Sequence, residues 1–178
     1  MVTLIIDVSQ SIIKWNAFKP GGEHDGTLHF KNGTIEVDDQ NIPIGGSFEF
    51  DMDTITDNDL SGFLKQKLET DLKGTEFFDV VKYPDAKFEI EKVDHTPDTS
   101  GYYGVSGYLT MKGVRNEISF KAKYTEAADS IRVESNKIIV DRTKWGINHG
   151  SKNIFKKLQE NIIADNFDVQ AIVVAKTK

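Results

Sequence analysis

The sequence predicts an all-β fold built as an antiparallel meander of eight or more strands. Three observations predict it. Apolar residues recur with period two in run after run, glycine-, proline- and asparagine-rich turns separate the runs, and a single longer segment has helical spacing. The chain has 178 residues, of which 38% are hydrophobic and 28% charged, a composition that supports a folded core. It is expected to form one domain over 1–178, as a single barrel or as two packed sheets.

The alternating runs are "SIIKWNAF" (11–18), "TLHFKNGTIEV" (27–37), "GSFEFDM" (46–52), "AKFEIEKV" (86–93), "YGVSGYLTM" (103–111), "EISFKAKY" (117–124) and "NFDVQAIVV" (166–174). Each presents one apolar and one wetter face, as a strand does when only one side is buried. The expected turns are "KPGGEHDG", "KNG", "IPIGG", "HTPDTSGYYG" and "MKGVRN". "KNG" reads as the clearest tight hairpin, because asparagine and glycine tolerate positive φ. The loop around Thr96–Ser100 reads as loose.

The helical segment is "DNDLSGFLKQKLETDL", with Leu60, Phe63, Leu64, Leu68 and Leu72 on one face and Asp57 or Asn58 placed to cap the first turn. It predicts an amphipathic helix over about 58–70, laid on the sheet or across a barrel end. A short second helix is expected near 151–158, where Ile154, Phe155 and Leu158 share a face.

Charge and composition exclude several functions. The net charge is -6 and the 22 basic residues are scattered, which argues against nucleic acid as a partner. With no cysteine, thiol catalysis, disulfides and thiolate metal sites are ruled out. No window is long and apolar enough for a membrane-spanning helix. The start, "MVTLIIDVSQ", lacks the basic region of a signal peptide, so the expected location is periplasmic if a leader has been removed and cytoplasmic otherwise.

The stretch "DRTKWGINHG" followed by Ser151 carries an acid, a histidine and a hydroxyl. A catalytic triad is not expected from it. There is no G-x-S-x-G turn, and Asp141 and His149 would lie about 25 Å apart in an extended strand at ~3.3 Å per residue. Nor do His24, His29, His95 and His149 show a recognised metal-ligand spacing, although His24 sits between Glu23 and Asp25. No metal site and no cofactor are expected. What remains is the aromatic face, with 11 phenylalanines, many sharing strand parity. Taken alone, such residues fill a core more often than they line a pocket.

Several runs in succession resemble the YceI family of lipocalin-like polyisoprenoid-binding proteins: "GTEFFDVVKYPDAKFEI" (74–90), "VSGYLTMKGVRNEISF" (105–120), "DRTKWGIN" (141–148) and "IIADNFDV" (162–169), preceded by "SIIKWNAFKPGGEHDGTLHFKNGTIEV" and "GGSFEFDMDTI". The resemblance spans nearly the whole chain. It implies an extended antiparallel lipocalin-like barrel of about eight strands whose interior holds an isoprenoid lipid or quinone, with "FFDVVKYP" following the helix. On that implication the ligand-binding residues are Trp15, Leu28, Phe30, Phe48, Phe50, Phe63, Leu64, Phe78, Phe88, Leu109, Phe120 and Phe167. Arg142 or Lys144 would then meet a phosphate or quinone head group.

The expected function is a non-enzymatic carrier for a long-chain amphiphilic isoprenoid, a polyprenyl phosphate or a quinone, with a homodimer allowed by analogy. Two rivals follow from the same residues. One is an enzyme acting on a lipid-like substrate through His24, His149 or Asp141 at the barrel mouth; the other is a stress-associated protein with a filled barrel and no ligand.

Overall fold

The computed structural model describes residues 1–151 and 163–177. Among the described residues ten strands run in chain order: β1 (Val2–Ile5), β2 (Ile12–Lys19), β3 (Gly22–Val37), β4 (Pro43–Asp57), β5 (Asp85–Val93), β6 (Tyr103–Met111), β7 (Val114–Glu126), β8 (Ser130–Ser135), β9 (Ile138–Asp141) and β10 (Asn166–Lys176). The helix α1 (Gly62–Lys73) lies between β4 and β5, and a 3-10 turn (Arg142–Trp145) follows β9. No helix among the described residues is long and apolar enough to cross a membrane.

All the strand pairs are antiparallel, and the β3–β4 pairing closes the sheet on itself. The ten strands make eight staves. Long β3 pairs with β2 along its first half and with β1 along its second, so β1 prolongs the stave of β2. In the same way β10 pairs with β9 near its start and with β8 near its end. The period-two pattern is the cause: Ile13 and Trp15 of β2, and Phe48, Phe50 and Met52 of β4, face inward while Lys14 is exposed.

The hairpin at "MKGVRN" forms as expected. Met111 pairs with Val114 across a two-residue turn in which Lys112 has φ 51° and Gly113 has φ 76°, both in the left-handed region. The "KNG" hairpin does not form. Residues 31–33 continue β3, and a register shift against β4 falls between Phe30 and Asn32. A glycine is needed there for closeness rather than for a turn: a Cβ on Gly33 would sit 2.8 Å from Phe48 Cδ1 and 3.0 Å from Ile6 Cδ1. "IPIGG" is likewise strand from Pro43 onward, and the chain turns earlier, at Asp38–Ile42, where Asn41 has φ 62°. The Thr96–Ser100 loop is tied by Asp98, whose carboxylate accepts from the Ser100 and Tyr102 amides and from Lys121 Nζ.

The helix begins later than its pattern suggested. Its N-cap is Ser61, without a side-chain cap bond, while Asp57 accepts from the Leu60 amide in the preceding turn. Only the C-terminal half is seated on the barrel. Leu72 is buried and Leu68 half-buried beside Trp15 and Ile55, but Leu64, on the same stripe one turn earlier, is 60% exposed. The first turn therefore overhangs the rim, and Phe63 is 76% exposed with it. The short helix expected near 151–158 falls, but for Ser151, outside the described residues.

Candidate functional site

The inward faces of the eight staves do not fill the barrel. They enclose a cavity in which about 240 Å³ is open to the centre of a water-sized sphere. On that measure one water occupies roughly 10–15 Å³, so the space suits a slender chain rather than a few solvent molecules. Phenylalanines form much of its wall. Phe30 packs against Phe48 and Phe50 with ring centroids 6.0 and 5.1 Å apart, and Phe88 against Phe120 at 5.5 Å. These contacts are edge-on in the first pair and tilted in the other two, arrangements that aromatic rings favour.

The register distinguishes two ends. At one, Ala17 pairs with Phe167 and Trp15 with Gly26. There Leu72 of α1, Phe77 and Phe78 from the turn after it, and Arg142 and Ile147 all join the lining. Trp145 braces this end, 2% exposed, its indole donating to the Leu109 carbonyl at 3.0 Å. Lys112 Nζ donates to the Thr75 carbonyl at 2.8 Å, fastening the turn after α1 to the β6–β7 hairpin. At the other end Ala122 pairs with Tyr103 and with Ser135, and the lining is Pro43, Val93, Tyr103, Tyr124 and the exposed Lys123. The Tyr103 and Tyr124 rings lie 5.8 Å apart, and burial pushes the Tyr124 phenol above its ordinary range.

Ten of the twelve residues expected to bind ligand line this cavity: Trp15, Leu28, Phe30, Phe48, Phe50, Phe78, Phe88, Leu109, Phe120 and Phe167. Phe63 and Leu64 do not, because the overhanging turn of α1 carries them into solvent. Of the two head-group candidates, Arg142 lines the cavity at the α1 end, whereas Lys144 is exposed and outside the lining. Asp141 accepts from the Thr143 amide and hydroxyl.

Arg142 is 4% exposed and chiefly a tie. Its Nε donates to the Ala164 carbonyl at 3.0 Å, Nη1 to Ile147 at 2.9 Å and Nη2 to Ile163 at 3.1 Å. Burial holds the guanidinium below its ordinary range without neutralising it, since arginine starts so high. Three of its five N–H groups are thus committed to backbone.

The wall also includes residues that the sequence reading passed over. Met52 shares parity with Phe48 and Phe50 and was available to that argument. Ile55 was not, because the pairing jumps from Asp51 to Thr56 opposite β3 and parity is lost across the irregularity. Tyr103 shares parity with Leu109, and Ala122 and Tyr124 with Phe120, so the same argument reaches them. His24, His149 and Asp141 are all absent from the lining. His149 instead lies 3.4 Å from Glu76 and edge-on to the Phe77 ring, and Ser151 Oγ donates to Asp165 Oδ1.

The YceI-like domain family matches residues 5–175 of the chain. A UPF0312 protein of Pseudomonas putida is 43% identical over 53 residues, 30% of this chain and 27% of that protein, so the match spans about a quarter of the curated relative's length. Among solved structures, the chain is similar to Burkholderia cenocepacia BcnA, with TM-score 0.76 and 17% identity over 96% of this chain and 99% of that one. It is also similar to a polyisoprenoid binding domain from Saccharophagus degradans implicated in plant cell wall breakdown, with TM-score 0.68, 13% identity and 98% of both chains covered. The Campylobacter jejuni YCEI protein gives TM-score 0.63 and 19% identity over 84% of this chain and 83% of that one. At these identities the structural likeness is one of fold.

Proposed function

The chain belongs to the YceI-like domain family, and we propose that it is a non-enzymatic carrier of a long-chain isoprenoid, a polyprenyl phosphate or an isoprenoid quinone. The observation that carries this is the continuous, carbon-lined cavity along the barrel axis. A barrel of about eight staves has room for one small ligand. Each buried CH₂ contributes about 0.8 kcal/mol, so a chain of a few isoprene units gathers useful affinity from a wall that makes no directional contacts. One fold neighbour is itself described as a polyisoprenoid binding domain, which agrees with this choice of ligand.

The tail is assigned to the end covered by α1 and the head to the end rimmed by Tyr103, Tyr124 and Lys123, where hydroxyls and an ammonium can meet a phosphate or quinone oxygen. The alternative places the head at Arg142, which also lines the cavity. Neither rival class of function gains from the geometry: His24, His149 and Asp141 lie off the cavity, and the barrel is not filled. A carrier working between membranes suits a periplasmic location, which remains part of the proposal.

Native mass spectrometry of the protein as purified tests the reading, because it reports ligand mass and oligomeric state together. The expected result is an adduct with a prenyl lipid mass, and saturable micromolar binding of a prenyl quinone or prenyl phosphate after delipidation. If extracts contain no lipid and neither probe binds, the carrier reading fails. Turnover of the bound probe that is lost on His149→Ala would favour the enzyme instead.

A further inference from the structure

At the α1 end of the barrel, three side chains converge that serve neither core nor cavity. His24 of β3, Asp57 at the last position of β4 and Asp59 in the turn before α1 each bring one ligand-type atom to within 4.8 Å of the others. Asp57 is fully buried, and its Oδ1 has no hydrogen-bond donor, while Oδ2 accepts from the Leu60 amide at 2.8 Å. The group beside it is another carboxylate, Asp59. Among the ion pairs of the described residues, Asp59 meets only His24, whose Nδ1 is 2.8 Å from Asp59 Oδ2. A buried acceptor facing a like charge is costly unless something positive lies between them.

We propose that His24, Asp57 and Asp59 bind a divalent transition-type cation, Zn²⁺ or Mn²⁺, at the rim of the covered end. The inference is independent of what the cavity carries. One imidazole and two carboxylates suit these ions, whereas Ca²⁺ and Mg²⁺ favour sets made of oxygen alone. The site is braced from behind. The Asp25 amide donates to Asp59 Oδ1 at 3.1 Å, the Asn58 amide to the Asp25 carbonyl at 2.9 Å, and the Leu60 amide orients Asp57, the kind of outer support that fixes metal-binding carboxylates. The Asp57 backbone is fixed by its pairing with Gly26, while His24 and Asp59 are partly exposed at the rim.

In the chain His24 stands between Glu23 and Asp25. The fold instead supplies partners more than thirty residues away, from a turn that holds the start of α1 against β3. A bound ion would therefore join β3 to the segment leading into the helix that covers the cavity.

The test uses tag-free protein stripped with chelator, titrated calorimetrically with ZnCl₂, MnCl₂, MgCl₂ and CaCl₂ and followed by thermal melts. One-to-one micromolar binding of Zn²⁺ or Mn²⁺ is expected, with a raised melting temperature and weak or no response to Mg²⁺ and Ca²⁺. Asp57→Asn keeps an acceptor for the Leu60 amide and His24→Gln changes a rim residue; each should weaken binding at least about tenfold with unchanged circular dichroism. The proposal is overturned if neither metal binds, or if binding survives both substitutions. It is equally overturned if Asp57→Asn stabilises the metal-free protein and the wild type takes no ion, since Asp57 and Asp59 would then be sharing a proton.

Discussion

Replacing Arg142 by alanine removes three hydrogen bonds that a single buried guanidinium makes to Ile147, Ile163 and Ala164. Bonds to a charged donor contribute roughly 1.5–3 kcal/mol each, so the gross loss is about 4.5–9 kcal/mol. Against this stands the desolvation of the guanidinium, which is 4% exposed and costs several kcal/mol to bury. The carbonyls left behind in a largely apolar setting then dominate. The expected net destabilisation is about 3 kcal/mol, or a fall in melting temperature of roughly 6–12 °C for a chain of this size. Arg142→Lys should recover less than half, because one ammonium cannot span carbonyls from both sides of the segment. Thermal and urea denaturation, read by circular dichroism, give both numbers. A loss under about 1 kcal/mol in Arg142→Ala, accompanied by loss of prenyl-phosphate binding, would refute the structural role and return Arg142 to the head group.

Three further outcomes are expected. Ala122→Phe points a ring into the cavity between Tyr103 and Ser135 and should abolish prenyl-lipid binding at a stability cost of about 1–3 kcal/mol; retained binding would place the ligand elsewhere. Asn32→Val should change stability by no more than about 0.5 kcal/mol, because Asn32 is an exposed strand residue; a larger loss would mean that "KNG" is a turn after all. The bond from Lys121 Nζ, and then the Tyr102 and Ser100 amides, hold the Asp98 carboxyl down to about 2 from its ordinary 3.8. Its folded value lies below the unfolded one, so its stabilisation is complete above pH 4 and is lost as pH falls toward 2. Carbon-detected NMR titration checks it, and an Asp98 midpoint near 4 would contradict the loop geometry.

Alternation alone determined that the chain is a sheet protein and which residues of each strand share a face. Parity is a local property, fixed by the pleat, so Phe48 could be set on one face with Phe50, Phe88 with Ile90 and Phe120 with Ile118 before any contact was known, while the joining of these faces into one wall waited for the fold. The ordered runs of family-like residues carried the closed barrel, and the apolar lining followed from both. Other features depend on distance in space rather than on neighbours in the chain. Gly33 looks like a turn residue until Phe48 and Ile6 are seen lying against it. The first turn of α1 has the right stripe, yet Phe63 and Leu64 stay in water because the barrel rim ends beneath Leu68. His24 acquired its acidic partners only when the β3–β4 pairing brought Asp57 and Asp59 to it. "DRTKWGINHG" follows the same rule: its residue types suggested chemistry, but Arg142 is spent on three carbonyls and Trp145 on one, because closing a barrel end leaves backbone acceptors that some side chain must satisfy. Sequence periodicity fixes which way a side chain points, and tertiary structure decides what it meets.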